Sequence, residues 1–561
     1  MTDRRASALE NLFYERFFYN DLISSHDDPQ LTAANLMAIL AFPGLLTLYW
    51  IPKYYVVLAR APESVRQWHA LGDRFVWIAF SMTVIALLAA LQWESLLPDR
   101  RDMTILGPQP VTAGELFRAQ GRALGRYLWL FFAILNVAAL FFYPLGVVPW
   151  RASFFEGAWF ALANFVAVAS SALFAFLAVA GAQAVLLLAL PPTLFRHVSQ
   201  WAQLMVAAAL CGALILLFVL RGVAFDGTST TLEAVSVPIA RWLPPMWFAA
   251  LGEWLTRGSS TFAPMARIAL IALAATAALT AAGYALSYRR FGALALETPT
   301  RPRLPQSRPI PRWDRLGLAD SSQRAVFFFT LRTLLRSPLH RLKLGTFVGI
   351  GVAFVFIRAW DADPQAPARA PLEGPFALLF LCAVGLRTAF ELPAELPANW
   401  AFRFHTVPSR LQRYLAGARK AAWAIAFVPL AVLTTLAMQQ LWGTAVAAPH
   451  AVAMLIVAWF VLEAAQAGVR KIPFTCNFVA PRAHAIIVWT ICAIAMLAFA
   501  ASLASLELWA LESPWRLWQA SAWAALAGVL WLLWNERSLR ELGGPEFFER
   551  PDQIQRLSLD G

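Results

Sequence analysis

The sequence predicts an all-α, polytopic helical membrane protein with about twelve transmembrane helices in two six-helix halves. Three observations carry that prediction. Apolar residues make up 59% of the chain and charged residues only 14%, where soluble proteins have about 45–50% and about 25%. Apolar runs near the roughly 20 residues that span a bilayer recur along the whole length. The runs are continuous rather than alternating, so helices and not barrel strands satisfy the backbone in lipid.

The net charge of +13 fits basic loops beside anionic lipid better than a nucleic-acid surface. The four cysteines are scattered, so no disulfide framework or metal site follows. Residues 1–29 lack a short apolar core, and no cleavable signal peptide is expected.

Taken in order, residues 7–23 read as an amphipathic helix, with Leu9, Leu12, Phe13 and Phe17 on one face, lying in the membrane interface. Spans are expected at 34–57, 75–97, 127–148, 155–190, 201–220 and 269–288, the fourth longer than a bilayer requires. The loop before the sixth carries Pro244-Pro245-Met246-Trp247-Phe248, whose tryptophan suits short interfacial helices. Segment 289–324 is rich in proline and arginine and reads as a cytoplasmic linker. It separates a first six-span half, 1–288, from a second, 325–534, and 535–561 forms a cytoplasmic tail. The second half opens on an aromatic and basic segment placed like the N-terminal helix. Its spans are expected at 345–357, 376–390, 421–441, 452–467, 485–506 and 518–534.

With both termini inside, most Lys and Arg fall on the cytoplasmic side, as the positive-inside rule requires. The first outer loop goes against the rule, holding Lys53, Arg60, Arg66 and Arg74. The overall pattern implies a bacterial inner-membrane protein.

Two polar stretches follow the second and eighth spans. Each opens on Leu-Pro, at Leu97-Pro98 and Leu396-Pro397. The first holds Asp99, Arg100, Arg101, Asp102, Pro108 and Pro110, then Thr112 and Glu115 spaced as a capping box. The second holds Arg403 and Pro408, then Ser409 and Gln412 as another. Basic residues follow both: Arg118, Arg122 and Arg126, then Arg410, Arg413, Arg419 and Lys420. Matched elbows in two halves indicate an internal repeat, as transporters have.

No G-x-x-x-x-G-K-[ST] phosphate loop occurs, and no H-E-x-x-H or C-x-x-C. The seven histidines read as interface or loop residues. Arg387, Glu391 and Glu463 are the main ionisable residues near spans, which gives little support to a proton relay or an acid-base pair. The chain is therefore not expected to be an enzyme, and its elbows are expected to receive force from another chain.

The string 98–111, Pro-Asp-Arg-Arg-Asp-Met-Thr-Ile-Leu-Gly-Pro-Gln-Pro-Val, resembles the segment after the second span in the membrane subunits of ATP-binding-cassette transporters of the type-2 exporter class. Pro244–Phe248 and Lys471-Ile472-Pro473-Phe474-Thr475-Cys476 resemble motifs of a fused form of such permeases. The resemblance implies a transport subunit with coupling helices at 99–126 and at the second elbow. A separate ATPase subunit would dock there and bring the ATP, this chain holding no cofactor itself. Substrate would pass between the halves, and two fused halves would need no homodimer. The second elbow lacks acidic residues matching Asp99 and Asp102, so unequal engagement is implied. A secondary transporter with two six-span repeats is the alternative reading.

Overall fold

A computed structural model describes residues 2–16, 37, 40–93, 113–224, 242–296, 318, 320–360, 362–394, 400–407, 410–467, 469, 471–475 and 485–541. Among the described residues there is no strand. Ten helices among the described residues are long and apolar enough to cross a membrane, which makes this a multi-pass membrane protein. The chain divides into two compact units, Met1–Pro302 and Arg303–Gly561. The division falls inside 289–324.

In the first unit, α1 (Thr2–Arg16) is followed by a helical stretch, α2 (40–57), which passes through a 3-10 turn at Thr47–Tyr49 and a π turn at Lys53–Val57. The remaining helices are α3 (Glu63–Leu91), α4 (Ala113–Val147), α5 (Phe154–Ala189), α6 (Pro192–Ala224), α7 (Pro244–Arg257) and α8 (Ala263–Leu296). The 36 residues of α5 extend about 54 Å at 1.5 Å per residue. Its start is fixed by a capping box: the Ser153 hydroxyl accepts from the Glu156 amide and the Glu156 carboxylate accepts from the Ser153 amide.

The second unit comprises α9 (Ser321–Arg336), α10 (Pro338–Ala359), α11 (Arg369–Phe390), α12 (Trp400–His405), α13 (Leu411–Ala422), α14 (Val428–Trp442), α15 (Thr444–Ala465), α16 (Ala485–Leu511) and α17 (Pro514–Glu541). A π turn at Trp423–Phe427 joins α13 to α14 without a break.

Each unit is built around the helix that leads into its elbow. In α3, 78% of the apolar stretch is buried, and in α11, 72%, against 50% or less in every other long apolar helix. Helices α4, α5, α6 and α7 pack on α3, and α10, α15 and α16 pack on α11.

The expected span limits need correction in the second unit. Helices α10 and α11 are 22 residues each, not the short spans 345–357 and 376–390. In the sequence the apolar runs of these helices are interrupted by Arg341, Lys343 and Glu373. Arg341 and Glu373 are buried, and Glu373 is paired. Two expected spans are not among the ten. The first corresponds to α2, which is interrupted by its turns. The last corresponds to α17, which is tryptophan-rich and polar at its end. The N-terminal helix ends at Arg16 in the described residues, with Phe13 buried and Leu12 exposed. Phe17 lies outside them.

Candidate functional site: two anchored elbows

A helix end leaves its last carbonyls without intrahelical partners. At the end of α3 those carbonyls are met by glutamines from other helices. Gln203 on α6 donates to the Ala90 carbonyl at 2.9 Å, and Gln183 on α5 to the Trp93 carbonyl at 2.7 Å. The Trp93 indole donates to the Ser199 hydroxyl at 2.7 Å, and the Tyr284 hydroxyl on α8 donates to Gln183 at 2.8 Å. Gln183 and Gln203 are buried, and the Ala90 carbonyl also accepts from the Trp93 amide at 3.3 Å, so Gln203 adds a tertiary tie to a carbonyl the chain already partners. The exit into the first elbow is thus tied to α5, α6 and α8.

Asp99, Arg100, Arg101, Asp102, Pro108, Pro110 and Thr112 lie outside the described residues. Glu115 is exposed in the first turn of α4, where its charge suits the helix dipole. Beyond it, α1 lies along α4. Arg122 pairs with Glu10 at 3.4 Å. Arg126 donates to Asn11 at 3.2 Å, and its guanidinium sits 4.3 Å from the Tyr14 ring centroid.

The second elbow leaves α11 under a different set of ties. The Phe474 amide donates to the Phe390 carbonyl, and the Ala394 amide donates to the Phe474 carbonyl. His340 Nε2 lies 3.1 Å from the Leu392 carbonyl and Nδ1 lies 2.7 Å from the Ser337 hydroxyl. A carbonyl only accepts, so Nε2 carries the proton in this bond. Phe474 has a φ of 67°, a left-handed conformation that costs a bulky residue about 1–2 kcal/mol. Its ring packs edge-on against His340 at 4.7 Å and Phe390 at 5.2 Å. The Lys471–Thr475 segment, singled out as a motif, therefore clasps the start of this elbow. Arg387 adds a bond to the Ala465 carbonyl at the end of α15.

Past the elbow the arrangement of the first unit is repeated, with α9 lying along α13. Asp320 caps α9, accepting from the Ser322 amide at 2.9 Å and the Gln323 amide at 3.1 Å. It also pairs with Arg413. The Gln323 amide, with help from Arg413, holds the Asp320 carboxyl below the usual carboxylate range. Arg410 donates to the Ser322 hydroxyl at 3.2 Å. A Cβ on Gly417 would sit on the Gln323 carbonyl, so only glycine lets these backbones touch. Val326, Tyr414, Ala418 and Ile472 close the contact.

Pro408 and Ser409 lie outside the described residues, as does the side chain of Arg403, whose backbone is in α12. Gln412 is half-buried in the first turn of α13. The start of this helix differs from the expected capping box: Arg410 is the N-cap and makes no side-chain capping bond. The basic residues expected to face a partner are in part already engaged. Arg122, Arg126, Arg410 and Arg413 hold the docked helices, and Arg419 pairs with Glu463 at 2.5 Å.

The chain matches no protein-family model, no curated protein and no solved structure.

At the opposite end of α3 and α11 from the elbows lie charge pairs that sequence reading missed. Lys53 on α2 meets Asp73 on α3 at 2.6 Å, and Tyr54 donates to the same carboxylate at 2.7 Å. Arg74 pairs with Glu253 on α7 at 2.7 Å and lies against the rings of Tyr143 and Phe160. In the second unit Glu373 on α11 accepts from Arg358 on α10 and from Arg369. Two of the four basic residues that broke the positive-inside pattern, Lys53 and Arg74, are thus buried and paired. The scarcity of ionisable groups within spans also needs correction. His450, expected in a loop or interface, is fully buried on α15 and bonds Glu507 of α16 at 2.9 Å. The expected spans stopped one residue short of Glu507 and two short of His450. A glutamine or charge inside an apolar run was the available signal.

Proposed function

We propose that this chain is the membrane subunit of an ATP-driven transporter of the exporter type, made of two six-span repeats with both termini in the cytoplasm. A separate ATP-binding-cassette ATPase would engage the elbows and supply the energy. The observation that carries this reading is the repeated construction of the elbows. In each unit the most buried helix runs into the elbow, and an amphipathic helix is docked on the helix that leaves it. A push on either elbow therefore acts on the centre of its unit, through Gln183 and Gln203 in one and Phe474 and His340 in the other. The chain has no phosphate loop with which to power such a push itself.

Co-purification with a cassette-type ATPase tests the reading. Replacing Asp99, Arg100, Arg101 and Asp102 by alanine should abolish it, and Arg403→Ala should weaken it less. Substrate flux in vesicles without any ATPase would refute it.

The buried charge pairs favour one second reading, a secondary carrier. The pairs on α3 and α11 are matched by their own partners, the pattern of fasteners rather than of a relay. Flux driven by an ion gradient alone would select the carrier.

A further inference from the structure

The second unit contains a cavity of about 430 Å³ between α15, α16 and α17. Its wall is apolar, with Pro449, Val452 and Ile456 from α15, Leu503 and Leu506 from α16, and Leu517 from α17. Ligand pockets have this character and fall in the range of about 300–1,000 Å³. Two polar side chains line it, Ser521 and Glu507. The Ser521 hydroxyl already donates to the Leu517 carbonyl at 2.8 Å.

Glu507 is different. Its carboxylate is buried, and both oxygens accept from one donor, Nδ1 of His450, at 2.9 and 3.2 Å. A carboxylate has about four acceptor positions, so among the described residues much of its capacity is unfilled, and Glu507 lines the cavity. His450 is fully buried, and among the described residues its Nε2 has no hydrogen-bond partner. An apolar chamber with one under-bonded carboxylate in its wall calls for a guest that is apolar over most of its surface and carries an N–H cation at one end. An anion would meet the carboxylate's repulsion, and a neutral hydrocarbon would leave its acceptor positions unfilled.

We infer that this cavity is a binding site for a hydrophobic organic amine, whose ammonium group is held by Glu507 and whose apolar body fills the space between α15, α16 and α17. The inference does not depend on what drives the protein, since binding alone tests it.

The full chain in phosphatidylcholine nanodiscs, with empty nanodiscs subtracted, is titrated with a fluorescent naphthylalkylamine and with the matching naphthylalkyl alcohol. The amine should bind at least tenfold more tightly. Glu507→Gln should remove that preference. Ala520→Phe, which fills the cavity and leaves the Glu507–His450 pair in place, should abolish binding of both. Equal binding of amine and alcohol by the native chain, or a preference that survives Glu507→Gln, would overturn the inference. So would amine binding undiminished in Ala520→Phe, or a tightly held lipid that the amine does not displace.

Discussion

The backbone amide of Phe474 donates to the carbonyl of Phe390 at 3.2 Å, fixing the point where α11 gives way to the second elbow. Phe474 reaches that position only by adopting a positive φ. Ring packing and backbone strain therefore act on the same residue in opposite directions. Phe474→Ala loses the ring and keeps the strain, and should destabilise by about 3–5 kcal/mol. Phe474→Gly loses the ring and relieves the strain, so it should be the more stable variant by about 1–2 kcal/mol. Thermal unfolding of the purified protein in detergent gives the order. Equal melting temperatures would mean that the φ at this position carries no cost.

Gly417 and Gly121 lie on the two helices that leave the elbows, in unlike surroundings. A Cβ on Gly417 meets the Gln323 carbonyl, and one on Gly121 meets nothing. Gly417→Ala should force α9 from α13 and cost about 1–3 kcal/mol. Gly121→Ala should stabilise by roughly 0.5–1 kcal/mol through helix propensity alone. Circular dichroism melts of the two variants should move in opposite directions.

Arg74 and Glu253 fasten α7 to the core of the first unit. Glu253→Gln strands a buried guanidinium and should cost about 3–5 kcal/mol, whereas replacing both residues by methionine should recover most of that loss. Gly252→Ala should imitate the first variant in part, since its Cβ would stand 2.9 Å from Arg74 Nη1. A double-mutant cycle on unfolding midpoints measures the coupling. A methionine pair no better than Glu253→Gln would show that the charges themselves are required.

The α9 cap gives a pH signature. The Asp320 carboxyl titrates below its ordinary value of 3.8, so its contribution is present above that pH and is lost as pH falls through the depressed value. Asp320→Asn should therefore be less stable than the native chain at neutral pH. The two melting curves should converge as the solution is acidified below 3.8. A gap between them that does not change with pH would exclude the carboxylate as its source.

What was legible in the sequence was local. Continuous apolar runs announced helices such as α5 and α8, and the amphipathic pattern around Phe13 announced α1. The Ser153–Glu156 capping box is a local signal of the same kind, four residues of sequence that fix the start of α5. The rest depended on partners far along the chain. Nothing near Phe474 says that it will meet Phe390. Nothing near Gln183 says that it will meet the Trp93 carbonyl just past the end of α3. The expected spans for α10 and α11 are shorter than the helices, and His450 and Glu507 fall just outside the expected spans at 452–467 and 485–506. Their partners, not their neighbours in sequence, keep them inside.

The distance along the chain between Arg74 and Glu253 also has a consequence in time. At a synthesis rate of about 5–20 residues per second, their separation of 179 positions takes roughly 10–35 s to make. For that interval Arg74 has been translated and its carboxylate has not. Lys53, only 20 residues from Asp73, waits about a second or a few seconds at the same rate. The first hairpin can therefore enter the bilayer with one of its two buried cations neutralised and the other bare. A nascent chain halted before α7 would carry a lone guanidinium in apolar surroundings, and such truncated chains should be early targets for the proteases that clear stalled membrane proteins.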